Sequence, residues 1–209
     1  MKSLLMLLVM LTATTTVFAQ SPTPAQKPQP PEPASLPKAE GSTSTPKLSP
    51  AEKYFSDVEL IDQDGTKLRF YNDVLKNKIV VINTFFTTCT NICPPMNRNF
   101  EKMQEALGDR LGKDVFLVSI TVDPATDTPP RLKEYSRRFH ARSGWMFLTG
   151  KKENVDWALY KLGQYVETRD DHTNIFIIGN EPKGLWKKAF GLAKADELIR
   201  IMEDVINDR

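Results

Sequence analysis

Residues 78–86 read KIVVINTFF, a nearly continuous apolar run rich in β-branched side chains. A strand with one face in water alternates apolar and polar residues. A run without that alternation belongs to a strand covered on both faces. A second such run, DVFLVSITVD, occupies 114–123. Between and beyond them lie segments with apolar residues at helical spacing: Phe100, Met103 and Leu107 in one, Val155, Leu159 and Leu162 in another. Doubly covered strands separated by helices need a central sheet with helices on both faces, so the chain reads as an α/β fold.

The other segments complete that pattern. DVELIDQDGTKLRF predicts an N-terminal β-hairpin with Asp64-Gly65 at its turn. A helix is expected from about Pro95 to Leu107. TPPRLKEYSRRF, 128–139, predicts a helix with Thr128 as N-cap and proline in the first turn. WMFLTG predicts a short strand, KENVDWALYKLG a helix, and NIFIIG with GLWKKAFG a strand pair. KADELIRIMEDVIND closes the chain as an amphipathic helix. The lysines of GLWKKAFG read as the solvated face of an edge strand, and Trp145, Trp157 and Trp186 as packing residues.

These elements place the folded domain at 51–209. Ahead of it, residues 20–50 are proline-rich and lack aromatics; nine of the chain's 15 prolines fall between 21 and 50. Such a composition buries too little apolar surface to offset chain entropy and predicts an extended linker. Thirty residues of polyproline character, at about 3.1 Å each, reach on the order of 90 Å. Residues 1–19 carry Lys2, an apolar stretch from Leu4 to Leu11, and a small residue, Ala19, at the end. This is the layout of a signal peptide, with cleavage expected after Ala19 and a retained anchor as the alternative. The apolar run falls short of the ~20 residues of a membrane span. No cysteine follows it, so a lipoprotein anchor is not expected. The domain therefore reads as exported, and membrane contact is expected only if the N-terminus is retained. A formal net charge of +2, without a basic tract, argues against nucleic acid as a partner.

The chain's two cysteines, Cys89 and Cys93, lie in TFFTTCTNICPPM, at the end of the first buried strand. Export favours oxidised thiols, but a disulfide closing so small a loop stabilises little. A redox dithiol and half of a metal site are the stronger readings. Proline disfavours helical geometry at the residue before it, so Pro94 predicts Cys93 outside the helix, on the loop ahead of it. A nearby helix N-terminus favours thiolate, which serves a nucleophile and a metal ligand equally. The dithiol's position resembles that in thioredoxin-like folds, here with the N-terminal hairpin and an inserted strand–helix unit. Exchange enzymes of that fold use C-x-x-C and face it with a proline. This chain has one more residue between its cysteines, and TRDDHTNIFII offers His172 in place of proline. Two thiolates and an imidazole suit Cu(I) and also zinc. The second histidine, His140, follows the basic end of a helix and reads as a surface residue.

Four short motifs, in order, tie residues 55–209 to a known family: C-x-x-x-C-P at Cys89 to Pro94, V-D-P with D-T-P at Val122 to Pro129, L-T-G at Leu148 to Gly150, and D-H-T at Asp171 to Thr173. Together they resemble the Sco/SenC family, copper-binding proteins of cytochrome c oxidase assembly. The resemblance implies a thioredoxin-like fold, export, and Cu(I) or Cu(II) held by Cys89, Cys93 and His172, with zinc the lesser alternative. It implies delivery of copper to the binuclear site of oxidase subunit II or another exported cuproprotein. The alternative is reduction of that client's cysteines, with Cys89 and Cys93 as the redox pair and a thiol reductant protein as a further partner. Asp123 resembles the family's acidic residue near the site, with loop or helix capping as the competing reading; Asp171 stands beside the histidine as a further candidate. A monomer is expected. Members commonly carry proline and aspartate between the cysteines, whereas this chain has Thr90 and Asn91. That removes a negative charge and a rigid residue and leaves the ligands intact. A peroxidase on a related fold would use Thr87 or Thr88 beside the cysteine, but no arginine can be assigned to it from the sequence.

Overall fold

The computed structural model describes residues 29–31 and 48–208. The segment expected to be a signal peptide lies outside them, as does most of the expected linker. Of the linker, Pro30 is buried and the Gln29 side chain accepts a hydrogen bond from the Tyr160 hydroxyl, 3.2 Å away. That short piece therefore touches the domain.

The domain is built on one seven-stranded sheet. Its strands are β1 (Glu59–Asp62), β2 (Lys67–Arg69), β3 (Ile79–Phe85), β4 (Val115–Thr121), β5 (Trp145–Thr149), β6 (Ile175–Asn180) and β7 (Leu185–Phe190). They lie in the order β2-β1-β5-β4-β3-β6-β7. Strands β3, β4 and β5 run parallel; β6 is antiparallel to β3, β7 to β6, and β1 to both β2 and β5. The hairpin β1–β2 turns at Gly65, whose φ of 82° suits glycine. The α/β architecture with an N-terminal hairpin thus has the expected form.

Period-two alternation along β3 divides the core between two layers. Val81 and Phe85 face a cluster with Phe100 and Met103 of α2 (Cys93–Leu107), Leu132 and Tyr135 of α3 (Pro129–Arg137), and Leu198 and Met202 of α5 (Ala195–Ile206). Val80 and Ile82 face the other side. There they meet Phe55 of α1 (Pro50–Phe55), Phe70 and Val74 of a π-helical turn (Phe70–Leu75), and Val155 and Leu159 of α4 (Lys152–Lys161). Trp145 and Trp157 are buried and Trp186 is half-buried. Strand β7 forms an edge, with Lys187 half-buried and Lys188 exposed. Among the described residues, no helix is long and apolar enough to cross a membrane.

One local expectation needs correction. Helix α2 begins at Cys93, two residues earlier than expected. Proline disfavours helical geometry before it, but in a first turn its missing N–H forfeits no intrahelical bond. Ile92 already has helical dihedrals (φ −91°, ψ −27°) and its carbonyl accepts from the Met96 N–H at 3.3 Å. Thr128 does occupy the N-cap of α3 with extended backbone, but its side chain makes no capping bond.

Phe100 carries much of the α2 contact with the sheet. It is fully buried, with its ring centroid 4.6 Å from that of Phe176 and 5.5 Å from that of Trp145. Truncating a buried aromatic removes transfer energy and leaves a cavity, together about 3–5 kcal/mol. Phe100→Ala should lower the free energy of unfolding by that amount, read in urea as a lower midpoint with an unchanged m-value; a loss below about 1 kcal/mol would show that α2 repacks freely.

Candidate metal centre

Cys89 follows β3 on an irregular loop, and its N–H donates to the Phe86 carbonyl at 3.1 Å. Cys93 is the first residue of α2 and has no accessible surface. Its N–H, one of the helix's unsatisfied first-turn donors, points to Cys89 Sγ at 3.4 Å. His172 precedes β6. The antiparallel pairing of β3 with β6, Ile82 opposite Ile177, carries the chain before β6 back to the end of β3. The Thr84 hydroxyl donates to the Thr173 carbonyl at 3.4 Å across this junction. The result is a Cys93 Sγ to His172 Nε2 distance of 3.4 Å, and the ligand atoms of Cys89, Cys93 and His172 all lie within 4.8 Å of one another. Both thiols are free. Cys89 is half-buried, so the group is reachable from one side.

The orientation of the imidazole follows from its other nitrogen. His172 Nδ1 lies 2.8 Å from the Arg169 carbonyl, which can only accept. Nδ1 therefore carries the proton, and the Nε2 lone pair faces the thiols. Burial pushes the His172 pKa down, against smaller opposing effects of that carbonyl and Asp170. Burial also pushes the Cys93 thiol far up, with the Cys89 thiol and Asp127 adding to it. The helix N-terminus favours the thiolate by roughly 0.3–2 kcal/mol. Desolvation can shift a buried group by about 3–5 pKa units and outweighs it. Cys93 is thus held as a thiol until something displaces its proton.

Two acidic residues organise the surroundings. Asp127 is fully buried and accepts from the Thr87 N–H at 3.1 Å, the Thr87 hydroxyl, and the Thr121 hydroxyl at 2.5 Å. Burial raises its pKa, partly offset by these bonds. It ties the loop of Cys89 to the end of β4, a role that its place in D-T-P did not disclose. Asp123 pairs with Arg169, its Oδ2 accepting from Nη1 at 2.6 Å. Burial works against the Asp123 anion, but Arg169 and Thr126 outweigh it and hold its pKa low. The Asp171 carboxylate is exposed and accepts from the Thr168 hydroxyl at 2.6 Å. His140 is exposed and 2.6 Å from Glu101, away from this group. Sequence reasoning missed Arg169. Its guanidinium lies over the Phe86 ring, with the ring centroid 5.2 Å away, and is engaged by Asp123.

Residues 46–207 match the SCO1/SenC family model. An SCO2-like protein of Rickettsia felis is 38% identical over 128 residues, covering 60% of each chain. For a second SCO2-like protein, from Rickettsia conorii, the match covers 48% of its length, so the chain spans about half to three-fifths of these relatives. Among solved structures, a SCO1/SenC family lipoprotein from Bacillus anthracis superposes with a TM-score of 0.59 at 28% identity, covering 70% of this chain and 91% of that one. Yeast Sco1 with copper bound gives a TM-score of 0.60 at 24% identity, covering 74% and 92%, a likeness of fold. The match to the family model extends over most of the chain, the whole sheet included, and the chain belongs to the SCO1/SenC family.

Proposed function

We propose that Cys89, Cys93 and His172 bind one copper ion and that the domain carries it to an exported cuproprotein, in the first place the binuclear site of cytochrome c oxidase subunit II. The observation that supports this most is the approach of two sulfurs and one imidazole nitrogen to within 4.8 Å of one another. Thiolate sulfur selects Cu(I), and imidazole suits copper in either oxidation state. Three ligands leave a position open through which an ion can be passed on, and the half-buried Cys89 lies on the accessible side. Zinc could use the same atoms with a fourth ligand; the low coordination of the group favours copper. The copper-bound yeast Sco1, of the same fold, supports the choice of metal. Export, with a signal peptide removed after Ala19 and a Pro-rich linker over 20–50, would place the carrier in the periplasm beside such a client.

A second reading rests on the asymmetry of the two thiols. Cys89 is reachable and its sulfur receives a helix-terminal N–H, whereas Cys93 is buried. That is the division between an attacking and a resolving thiol. Cys89 thiolate would attack a client disulfide, releasing one client thiolate and forming a mixed disulfide. Cys93, passing its proton to the departing client sulfur, would then attack Cys89 Sγ, releasing the second client thiol and leaving Cys89–Cys93 oxidised. A thiol reductant protein would restore the pair.

Anaerobic titration followed by absorbance and EPR separates the readings. The wild type should bind one copper per chain. Cys89→Ser, Cys93→Ser and His172→Ala should each lose more than the roughly 10–100-fold that follows from removing a residue that only supports a ligand. Unchanged Cu(II) affinity and spectrum in His172→Ala would rule out the three-ligand site. Reduction of oxidised subunit II that survives His172→Ala but is lost in either cysteine variant would favour the second reading.

The pH dependence has a definite sign. Binding requires Cys93 thiolate, and burial keeps the group a thiol, so each bound ion displaces its proton. Affinity should rise with pH by about tenfold per unit from this proton alone. His172, with its pKa lowered, is neutral near neutrality and adds no further slope there. Competition titrations from about pH 6 to pH 8 on the wild type and Cys93→Ser isolate this proton's share of the slope; the same slope in both would show that Cys93 is already ionised or is not a ligand.

A further inference from the structure

His172 sits on a loop, and a ligand on a loop is only as well placed as whatever holds the loop. The backbone supplies part of the restraint. The Arg169 carbonyl receives both His172 Nδ1 at 2.8 Å and the His172 N–H at 3.3 Å. The short 3₁₀ turn Arg169–Asp171 is exposed; Asp171 accepts from the Thr168 hydroxyl and Asp170 lies 3.9 Å from Arg169 Nε. Arg169 has a different environment. Its Nη1 donates to Asp123 Oδ2 at 2.6 Å, on the loop after β4. Its guanidinium carbon lies 5.2 Å from the centroid of the Phe86 ring, at the end of β3. The same Phe86 ring meets the His172 ring edge-on, with centroids 5.2 Å apart and planes 79° apart. Phe86 is therefore contacted by the guanidinium and by the imidazole, and the ion pair secures the guanidinium.

We infer that Arg169 is a positioning residue for His172: its side chain clamps the histidine loop to Asp123 and Phe86, so that Nε2 is held toward the Cys89–Cys93 pair. Asp123 is then the fixed jaw of the clamp and acts on a metal through Arg169. Its position supports this. The Asp123 N–H donates to the Thr121 hydroxyl at 2.9 Å, and that hydroxyl donates to the buried Asp127, so the loop is anchored before Arg169 engages it. Only 14% of the Asp123 side chain is exposed, against 45% for Arg169. An ion pair with one partner this exposed would add little to global stability. Its consequence is local, in the fraction of time that the imidazole spends in the ligating position. A ligand held in place a fraction f of the time weakens the apparent affinity by 1/f. The planar guanidinium matters because it must stack and pair at once, which lysine cannot reproduce.

The inference rests on the three-ligand reading for its meaning but can be tested without metal. Long-range ¹H–¹⁵N correlation spectra of the metal-free, reduced chain report the tautomer and exchange broadening of the His172 ring. The wild type should show a single Nδ1-protonated form. Arg169→Ala should show mixed tautomers or exchange broadening, Arg169→Lys should fail to restore the wild-type signal, and the circular dichroism spectrum should be unchanged. Copper affinity should fall by about 10–100-fold in Arg169→Ala. Asp123→Ala should have the same effect, and the double variant should be no worse than either single one. A wild-type His172 signal together with wild-type copper affinity in Arg169→Ala would overturn the clamp. If the wild type bound no copper but Arg169→Ala still released the His172 ring, the metal reading would fail and the clamp would stand.

Discussion

The 3.4 Å approach of Cys93 Sγ to His172 Nε2 joins residues 79 positions apart, and the fold around it determines that approach. The antiparallel register of β3 and β6 brings the histidine loop to the end of the central strand. Helix α2 must start at Cys93 for the sulfur to lie under that loop, and Pro94 and Pro95 fit its first turn without forfeiting intrahelical bonds. Phe100 then fixes α2 on the sheet through Phe176 and Trp145. A shift of one residue in the β3–β6 register would turn every side chain of β6 to the opposite face, and with it the packing that fixes where the histidine loop begins.

Burial has two consequences for the chemistry. It keeps Cys93 protonated in spite of the helix terminus, and it keeps His172 neutral. The metal-free pair is then a thiol beside a lone pair, without two adjacent like charges. An incoming cation supplies the attraction that neither burial nor the helix end supplies. The buried carboxylate of Asp127 has a structural part in this: its bonds to Thr87 and Thr121 hold the cysteine loop against β4.

Much of this was legible in the residues because burial writes itself as pattern. The unbroken apolar run of β3, the second run of β4 and the helical spacing of Phe100, Met103 and Leu107 each reported a face or faces in the core. The hairpin was legible at Asp64-Gly65. The helix α1 was missed although its signal was present: in Ser49-Pro50-Ala51-Glu52 the serine hydroxyl accepts from the Glu52 N–H at 3.1 Å, an N-cap placed just ahead of a proline. The π-helical turn at Phe70–Leu75 has no local signature; its Phe70 and Val74 share a buried cluster with Phe55 of α1. Cys93 was misplaced because a preference about the residue before proline was set against the greater tolerance of a helix's first turn. Arg169 could not be found, because its partners lie at the ends of two strands far away in the chain and one of its contacts is with a ring face.

The proposed carrier role requires that Cys89, Cys93 and His172 converge on one ion. X-ray absorption of the copper-loaded, reduced protein tests it most directly. A first shell of two sulfurs and one imidazole nitrogen is expected, with the imidazole contribution gone in His172→Ala. A shell without both sulfurs, or one unchanged by His172→Ala, would contradict it.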